Sequence, residues 1–553
     1  MTNCAVILIK SKNGEDVIME ILAIIPARAG SKAIPNKNIR SVNGHPMIFY
    51  AINNAINSKY VTDVVVSTDS YEVKIIAEQM GVRCHWRRSE LCEDSVALDA
   101  VIYDAVICEQ KKYDYVITMQ PTSPTLKTET LDNAIQYAFD KGLDTLISAI
   151  NHPHLSWHDE NGKKVPNYEK RLNRQYLPAN YMETGAFVIS KREVVTEDSR
   201  IGKKLDVYEV SENEAIDVDT FIDLYAVGEI LNERKVAIYV NGNTQRGTGH
   251  IYRALEIADE FLSKPDIYFD SNQTDRAIFG KTTHNLIPVN GIAELFNIIK
   301  EKKYTVFIND ILSTSLDYMI GLRSVMPDNG KIINFEDEGE GAGKADLVFN
   351  ALFSEQIGGN IYGGEKYYIA PKIFLMYKPI KIQDTVEKIF ISFGGADPQN
   401  YTDRLFSIIT KEKYKDLKFI VALGRAKQNV EALLEYDKID NIDVYYDVNN
   451  MPELMSECDV ALTSRGRTAY ELAILGIPPI VLSQNAREEG HGFVCDENGF
   501  MYMGTNPSNH MIESTLDMYV TMPHDDRQRL QDKLLQNDLK NGRKRVIRLI
   551  QNL

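Results

Sequence analysis

The sequence predicts an α/β protein built as two units, the second of them two-lobed. Apolar strand-like runs alternate with helically spaced segments along almost all of its 553 residues, the pattern of parallel sheets covered by helices. A chain of 553 residues is also longer than one hydrophobic core serves. Apolar runs that end in loops of small residues occur near residue 21 and again near residues 236 and 389.

In the first unit the runs 21–26, 61–67, 115–119 and 144–149 read as buried parallel strands, and segments 47–57 and 72–80 carry helical spacing. Residues 151–183 interrupt this rhythm with His, Pro, Trp, Asn and Tyr, and read as an inserted flap or oligomer arm. A helical stretch, 221–234, then runs directly into a strand at 236–240, a Gly-rich loop from Asn241 to His250 and a helix over 251–262. A further division near 382 precedes a strand at 389–393 and the loop Gly394-Gly395-Ala396-Asp397. The predicted domains are therefore 19–234 and 235–553, with lobes 235–382 and 383–553 and an extension over 1–18.

Composition is ordinary for a globular protein, and a net charge of −16 argues against a general nucleic-acid binder. No apolar stretch approaches a membrane span, and residues 1–18 lack the pattern of a signal peptide. The six cysteines, Cys4, Cys84, Cys92, Cys108, Cys458 and Cys495, show no CxxC pair and no zinc spacing. They read as reduced packing residues of a cytoplasmic protein.

The most informative stretch is Ile24-Ile25-Pro26-Ala27-Arg28-Ala29-Gly30-Ser31-Lys32-Ala33-Ile34-Pro35-Asn36-Lys37-Asn38. A strand ending in such a loop lets backbone N–H groups approach a polyphosphate while Arg28, Lys32 and Lys37 neutralise it. The loop has neither the Walker A order nor G-x-G-x-x-G. Asp217 and Asp219 lie two apart in a strand-like segment and so share one face, an arrangement that suits Mg²⁺ alongside phosphate oxygens.

The loop resembles the nucleotide-binding signature of the CMP-sialic acid synthetases, the cytidylyltransferases that activate nonulosonic acids. The resemblance covers roughly residues 20–232. It continues through Val65-Val66-Ser67-Thr68-Asp69-Ser70, Arg88-Ser89-Glu90-Leu91 with Asp94, and Met119-Gln120-Pro121-Thr122-Ser123-Pro124. Arg174-Gln175, Glu183-Thr184-Gly185-Ala186-Phe187 and Ala215-Ile216-Asp217-Val218-Asp219-Thr220 complete it. It implies a Rossmann-like nucleotidyltransferase domain that joins CTP to a nonulosonic acid and releases pyrophosphate, with Mg²⁺ on Asp217 and Asp219. Arg28, Ser31, Lys32, Asn38 and Arg88 would hold the nucleotide, with Arg28, Lys37 and the two aspartates as the catalytic set. Gln120, Arg174, Gln175 and Thr184 would meet the sugar. Thr184 departs from the Asn that many members carry, which changes the reach of that hydrogen-bonding group. The resemblance also implies a homodimer, or a larger assembly, held through the 151–183 arm.

From residue 235 the chain resembles the UDP-sugar hydrolase of pseudaminic acid biosynthesis and its spore-coat polysaccharide relatives. The matching residues are Gly247-Thr248-Gly249-His250 with Arg253, Phe335-Glu336-Asp337-Glu338, Gly394-Gly395-Ala396-Asp397 with Asn400, Tyr470-Glu471-Leu472-Ala473, and Gln484-Asn485. This resemblance implies a two-lobed fold of the GT-B type and hydrolysis of a UDP-linked 2,4-diacetamido-2,4,6-trideoxy sugar. His250 would act as general base or as positioner of the water; Gly394 and Gly395 would meet the diphosphate; Glu471, opening a helix, would take the ribose; Gln484 and Asn485 would contact substrate. Three positions depart from the family: Asn241 replaces an Asp, Arg246 stands where an apolar residue is usual, and Met376 stands where an Arg is expected.

Together these readings give a bifunctional cytoplasmic enzyme of nonulosonic acid biosynthesis that binds CTP, a nonulosonic acid and a UDP-linked amino sugar, and neither nucleic acid nor membrane. The alternatives for the second unit are a glycosyltransferase and a non-catalytic nucleotide-sugar-binding module.

Overall fold

The structure is a computed structural model that describes residues 8–10, 16–30, 33–93, 95–243, 248–353, 357–448 and 450–553. The chain divides into two compact units, Met1–Glu233 and Arg234–Leu553.

The first unit is a seven-stranded sheet with the strand Ile21–Pro26 near its centre, flanked in parallel by Asp63–Thr68 and Tyr115–Met119. Alternate residues of Ile21–Pro26 enter opposite faces: Ile21, Ala23 and Ile25 join one buried cluster, Leu22 and Ile24 another. A strand covered on both sides reads as an unbroken apolar run, which is why the sequence shows it so plainly.

The sheet is not wholly parallel. The strand Thr145–Asn151 does not pair with Tyr115–Met119; Tyr181–Lys191 lies between them, antiparallel to both. The 151–183 segment carries the chain out and back at one end of the sheet, so the returning strand must run the opposite way. Within that segment Trp157–Glu160 and Lys163–Pro166 form a hairpin. Its two-residue turn, Asn161-Gly162, has φ of 53° and 84°, the positive values that an Asn-Gly hairpin turn adopts. In the N-terminal extension Leu8–Lys10 pairs antiparallel with Asp16–Ile18.

The second unit holds two sheets. The first has eight strands, the parallel set running from Val236–Val240 to Ile361–Gly363 with the short antiparallel Ile357–Gly358 at one edge. The second has six parallel strands, from Lys388–Ser392 to Met501–Thr505. These are the two lobes of the expected fold. The boundary of the second lobe needs correction, because its last helix, Gly542–Gln551, returns to the first lobe. Arg543 pairs with Glu260 at 2.7 Å and with Glu256, and Arg545 donates to the Lys366 carbonyl at 2.8 Å. Arg234 donates to the Ile550 carbonyl at 2.7 Å, and Val546 and Ile550 are buried beneath. Among the described residues no helix is long and apolar enough to cross a membrane.

Candidate active sites

In the first unit the site forms where the parallel strands end. The loop after Ile21–Pro26 is pinned at three points. Ala27 N donates to the Ser67 carbonyl at 2.9 Å, Ala29 N to Asp69 Oδ1 at 2.7 Å, and Asn38 Nδ2 to the Arg28 carbonyl at 3.0 Å. Asn38 is therefore a loop brace. Farther along, Ile34 and Val42 pack into one small core with Val218 and Val227. That core carries Lys37, whose side chain is only 12% exposed, onto Asp219 at 2.9 Å.

Asp217, Gln120 and Gly185 converge beside this pair. Gly185 has φ 72°, and a Cβ there would lie 3.1 Å from Gln120 Nε2 and 3.4 Å from Asp217 Oδ2, so a side chain would crowd both groups. Asp217 Oδ1 is buried and accepts no hydrogen bond. Burial and then the neighbouring Asp219 raise the Asp217 carboxyl above its usual range, against the hydrogen bond from Thr122 and the charge of Lys37. A buried carboxylate oxygen without a donor, next to a second carboxylate, fits a divalent cation with oxygen ligands.

Other residues singled out in the sequence fall elsewhere. Arg88 turns outward, 58% exposed, and pairs with Asp104 at 2.5 Å. The inward position belongs to Arg87, which is 5% exposed, donates to the Ser67 carbonyl at 2.9 Å and lies close enough to Arg28 for their charges to interact. Burial lowers the Arg87 pKa. Thr184 is 4% exposed and donates to Ser148 Oγ at 2.9 Å, so it braces the sheet and does not present itself to a ligand. Arg174 pairs with Glu212 at 3.2 Å in the arm, and Gln175 beside it is exposed. Among the described residues no hydrogen bond joins either of them to Gln120 or to the aspartates. Ser31, Lys32 and Asp94 lie outside the described residues, as do Arg246 and Gly247 of the second unit.

Residues 22–240 match the cytidylyltransferase family. Over 228 residues the chain is 31% identical to the post-translational flagellin modification protein B of Campylobacter coli, covering 39% of this chain and 97% of that protein. Through its first unit this chain belongs to the cytidylyltransferase family. It is also 41% identical over 122 residues to the CMP-N,N'-diacetyllegionaminic acid synthase of Legionella pneumophila, 21% of this chain and 53% of that one. The chain spans about half the length of the first curated relatives it matches (56% and 49%). Among solved structures, MurG of Acinetobacter baumannii aligns with a TM-score of 0.41 at 14% identity, over 58% of this chain and 100% of that one.

In the second unit, His250 is the second residue of the helix Gly249–Ala258, which follows the strand Val236–Val240. The adjacent parallel strand, Val306–Asp310, ends in a carboxylate that the sequence reading did not single out. Asp310 Oδ1 accepts from His250 Nδ1 at 2.6 Å and from Arg253 Nη2 at 2.7 Å, while Oδ2 accepts from Arg253 Nε at 2.7 Å. Arg253 also reaches Glu336 at 2.8 Å. Asp310 is 0% exposed. Burial alone would raise its pKa, but Arg253 and His250 together hold it below the usual value. Glu336 is driven the other way, upward, by the same burial. An ionised carboxylate can only accept, so Nδ1 is the donor of this pair.

Asn241 does not leave a gap where an acid was expected. Its Oδ1 accepts from Asp270 N at 2.8 Å and ties the end of the strand Val236–Val240 to the end of the strand Asp266–Asp270. Met376 is 83% exposed. The two glycine loops of this unit meet closely: a Cβ on Gly395 would lie 2.0 Å from Thr248 Oγ1, and one on Gly249 would lie 2.8 Å from Arg467 Cδ. Gly394 has φ 77°, which only glycine adopts freely. Glu471 does not open its helix but lies in the middle of Arg467–Leu475, half-buried, its carboxyl raised by burial. Gln484 is 3% exposed, and its amide is committed to Asp397 at 3.1 Å and to Gln399 N at 3.1 Å. Asn485 caps the short helix Ala486–Glu489 by accepting from Glu488 N at 3.1 Å. Both are framework residues.

Proposed function

We propose that the first unit transfers CMP from CTP to a nonulosonic acid, and that the second unit hydrolyses a UDP-linked diacetamido sugar. The observation that carries the first reading is the convergence of Lys37, Asp217, Asp219 and Gln120 at the strand ends of a cytidylyltransferase domain. The likeness to a CMP-N,N'-diacetyllegionaminic acid synthase supports the acidic nine-carbon sugar as acceptor.

In this reaction the anomeric hydroxyl oxygen of the acceptor attacks the α-phosphorus of CTP. The bond to the bridging β-phosphate oxygen breaks, pyrophosphate leaves, and the hydroxyl proton is lost. Little covalent chemistry falls to the protein, so its work is positioning and charge stabilisation. Arg28 and Arg87 supply fixed positive charge on the nucleotide side of the loop, and Lys37 balances the carboxylates. Gln120 offers an amide to the acceptor. Asp217 and Asp219 would hold Mg²⁺, which supplies neutralisation of the phosphate oxygens. Asp217→Asn with unchanged circular dichroism and a large loss of pyrophosphate release is the supporting result; undiminished release at the same Mg²⁺ concentration contradicts it.

The His250–Asp310 pair supports hydrolysis over the binding-module alternative, because a histidine oriented by a buried carboxylate is built for proton transfer. Nε2 would take the proton of a water attacking the sugar–phosphate linkage, and UDP would depart. Free UDP and free sugar in equal amounts, without added acceptor, support this reading; UDP release only with an acceptor favours a glycosyltransferase.

We also propose assembly through the arm, where Trp157, Tyr176, Tyr181 and Met182 are each at least half exposed. Light scattering of the full chain should give a dimer or larger species, and a monomer at micromolar concentration rejects the arm as an interface.

A further inference from the structure

We propose that His85, Asp104 and Cys108 form a binding site for a zinc-class divalent ion, made from residues that take no part in the nucleotide or sugar sites. Asp104 and Cys108 stand four residues apart, on the helix Leu98–Ile107 and at its C-cap, so both lie on one helix face. His85 reaches them from the edge strand Arg83–Trp86. Their three donor atoms all lie within 4.8 Å of one another. His85 Nε2 is 3.2 Å from Asp104 Oδ2. A tetrahedral ion with bonds of about 2.0–2.3 Å needs ligand–ligand edges of about 3.3–3.8 Å, which the His85–Asp104 separation already nearly matches.

A second observation points to the same ligand. Asp104 is only 4% exposed, and its Oδ2 accepts no hydrogen bond despite the nearness of the imidazole. A buried carboxylate oxygen left without a donor is costly, and this one lies 3.2 Å from the imidazole nitrogen of His85. Its partner oxygen, Oδ1, takes Arg88 Nη2 at 2.5 Å, which holds the carboxylate with one oxygen turned into the site. The far ring nitrogen, His85 Nδ1, lies 3.2 Å from Ser67 Oγ. A metal-bound histidine is usually oriented by such an outer hydrogen bond.

The donor set selects the ion. One imidazole, one carboxylate and one thiol suit Zn²⁺ or Co²⁺, and Mg²⁺ has no preference for nitrogen or sulfur. The Cys108 side is exposed, so water can complete the shell. Binding would release the thiol proton, leaving two negative ligands to balance the ion, with Arg88 beside them.

The test uses the full-length protein, stripped with a chelator, desalted and titrated with Co²⁺ in excess Mg²⁺. The expected result is one tightly held Co²⁺ per chain with a thiolate-to-cobalt charge-transfer band that Zn²⁺ abolishes. Cys108→Ser, a conservative change at an exposed position, should remove that band. Ser67→Ala should weaken binding about 10–100-fold while circular dichroism stays unchanged. No charge-transfer band in the parent protein overturns the site. So does a band that survives in Cys108→Ser, since the thiolate would then belong to another cysteine.

Discussion

Replacing Asp310 by Asn tests whether the second unit's histidine is a working base. In the structure Asp310 accepts three hydrogen bonds, at 2.6 Å from His250 and at 2.7 Å twice from Arg253. An Asn of the same shape keeps one acceptor and turns a donor towards either Arg253 or His250. The imidazole then loses the partner that fixes its tautomer. General-base catalysis contributes about 10²–10⁴-fold, and the same exchange in a serine-protease triad costs about 10⁴, so UDP release should fall within that range. Binding of UDP should change little, because Asp310 is buried behind His250. Removing one charge from a buried ion cluster costs about 3–5 kcal/mol, so urea unfolding must accompany the kinetics. The decisive comparison is a cycle of His250→Gln, Asp310→Asn and the double variant. If Asp310 acts through His250, the double variant is no slower than His250→Gln alone. Losses that multiply in the double variant would refute the pairing.

Three further outcomes follow from particular contacts. Arg87→Ala should raise the KM for CTP more than Arg88→Ala does, since Arg87 faces Arg28 while Arg88 is held by Asp104; the reverse order would return the role to Arg88. Gly395→Ala places a Cβ 2.0 Å from Thr248 Oγ1, so it should lower stability by about 1–3 kcal/mol, and Thr248→Gly should restore part of that loss in a double variant. His491, 5% exposed, is held down by burial to about 4, against 6.5 for an unburied ring. Its unfolded form takes up the proton first, so its contribution is complete above pH 6.5 and is lost as pH falls towards 4. The stability gap between the parent and His491→Gln should therefore narrow by about 3 kcal/mol across that window, and a constant gap would contradict it. Glu488, raised by burial to about 7, works in the opposite sense and flattens the parent's own profile.

The parallel strands were legible because burial on both faces leaves an unbroken apolar run, as in Ile21–Pro26 and Tyr115–Met119. The antiparallel Tyr181–Lys191 was not, because an apolar run carries no direction; direction is set by where the chain returns from the arm. The same limit applies to the site. Lys37 and Asp219 stand 182 residues apart and are joined by a small core around Ile34 and Val218 that no local motif reveals. Arg87 and Arg88 are neighbours that turn opposite ways at a strand end, and their shared chemistry gives no sign of which is inward. Asp310 lies 60 residues from His250. Its available signal was an acid ending the apolar run 306–310, beside a strand whose loop carries the histidine. Gln484 and Thr184 were assigned to ligands through motif resemblance, which fixes position in the chain but not the direction of a side chain, and both satisfy buried framework groups.

CMP transfer by the first unit is measured as pyrophosphate release by the full chain from CTP and a panel of nonulosonic acids with Mg²⁺, compared with Asp217→Ala and Asp219→Ala. The parent protein should give CMP-linked sugar and pyrophosphate in equal amounts, and both variants should lose most of their turnover with the fold retained. Normal turnover in either aspartate variant, or no CMP-linked product from any nonulosonic acid, would contradict it.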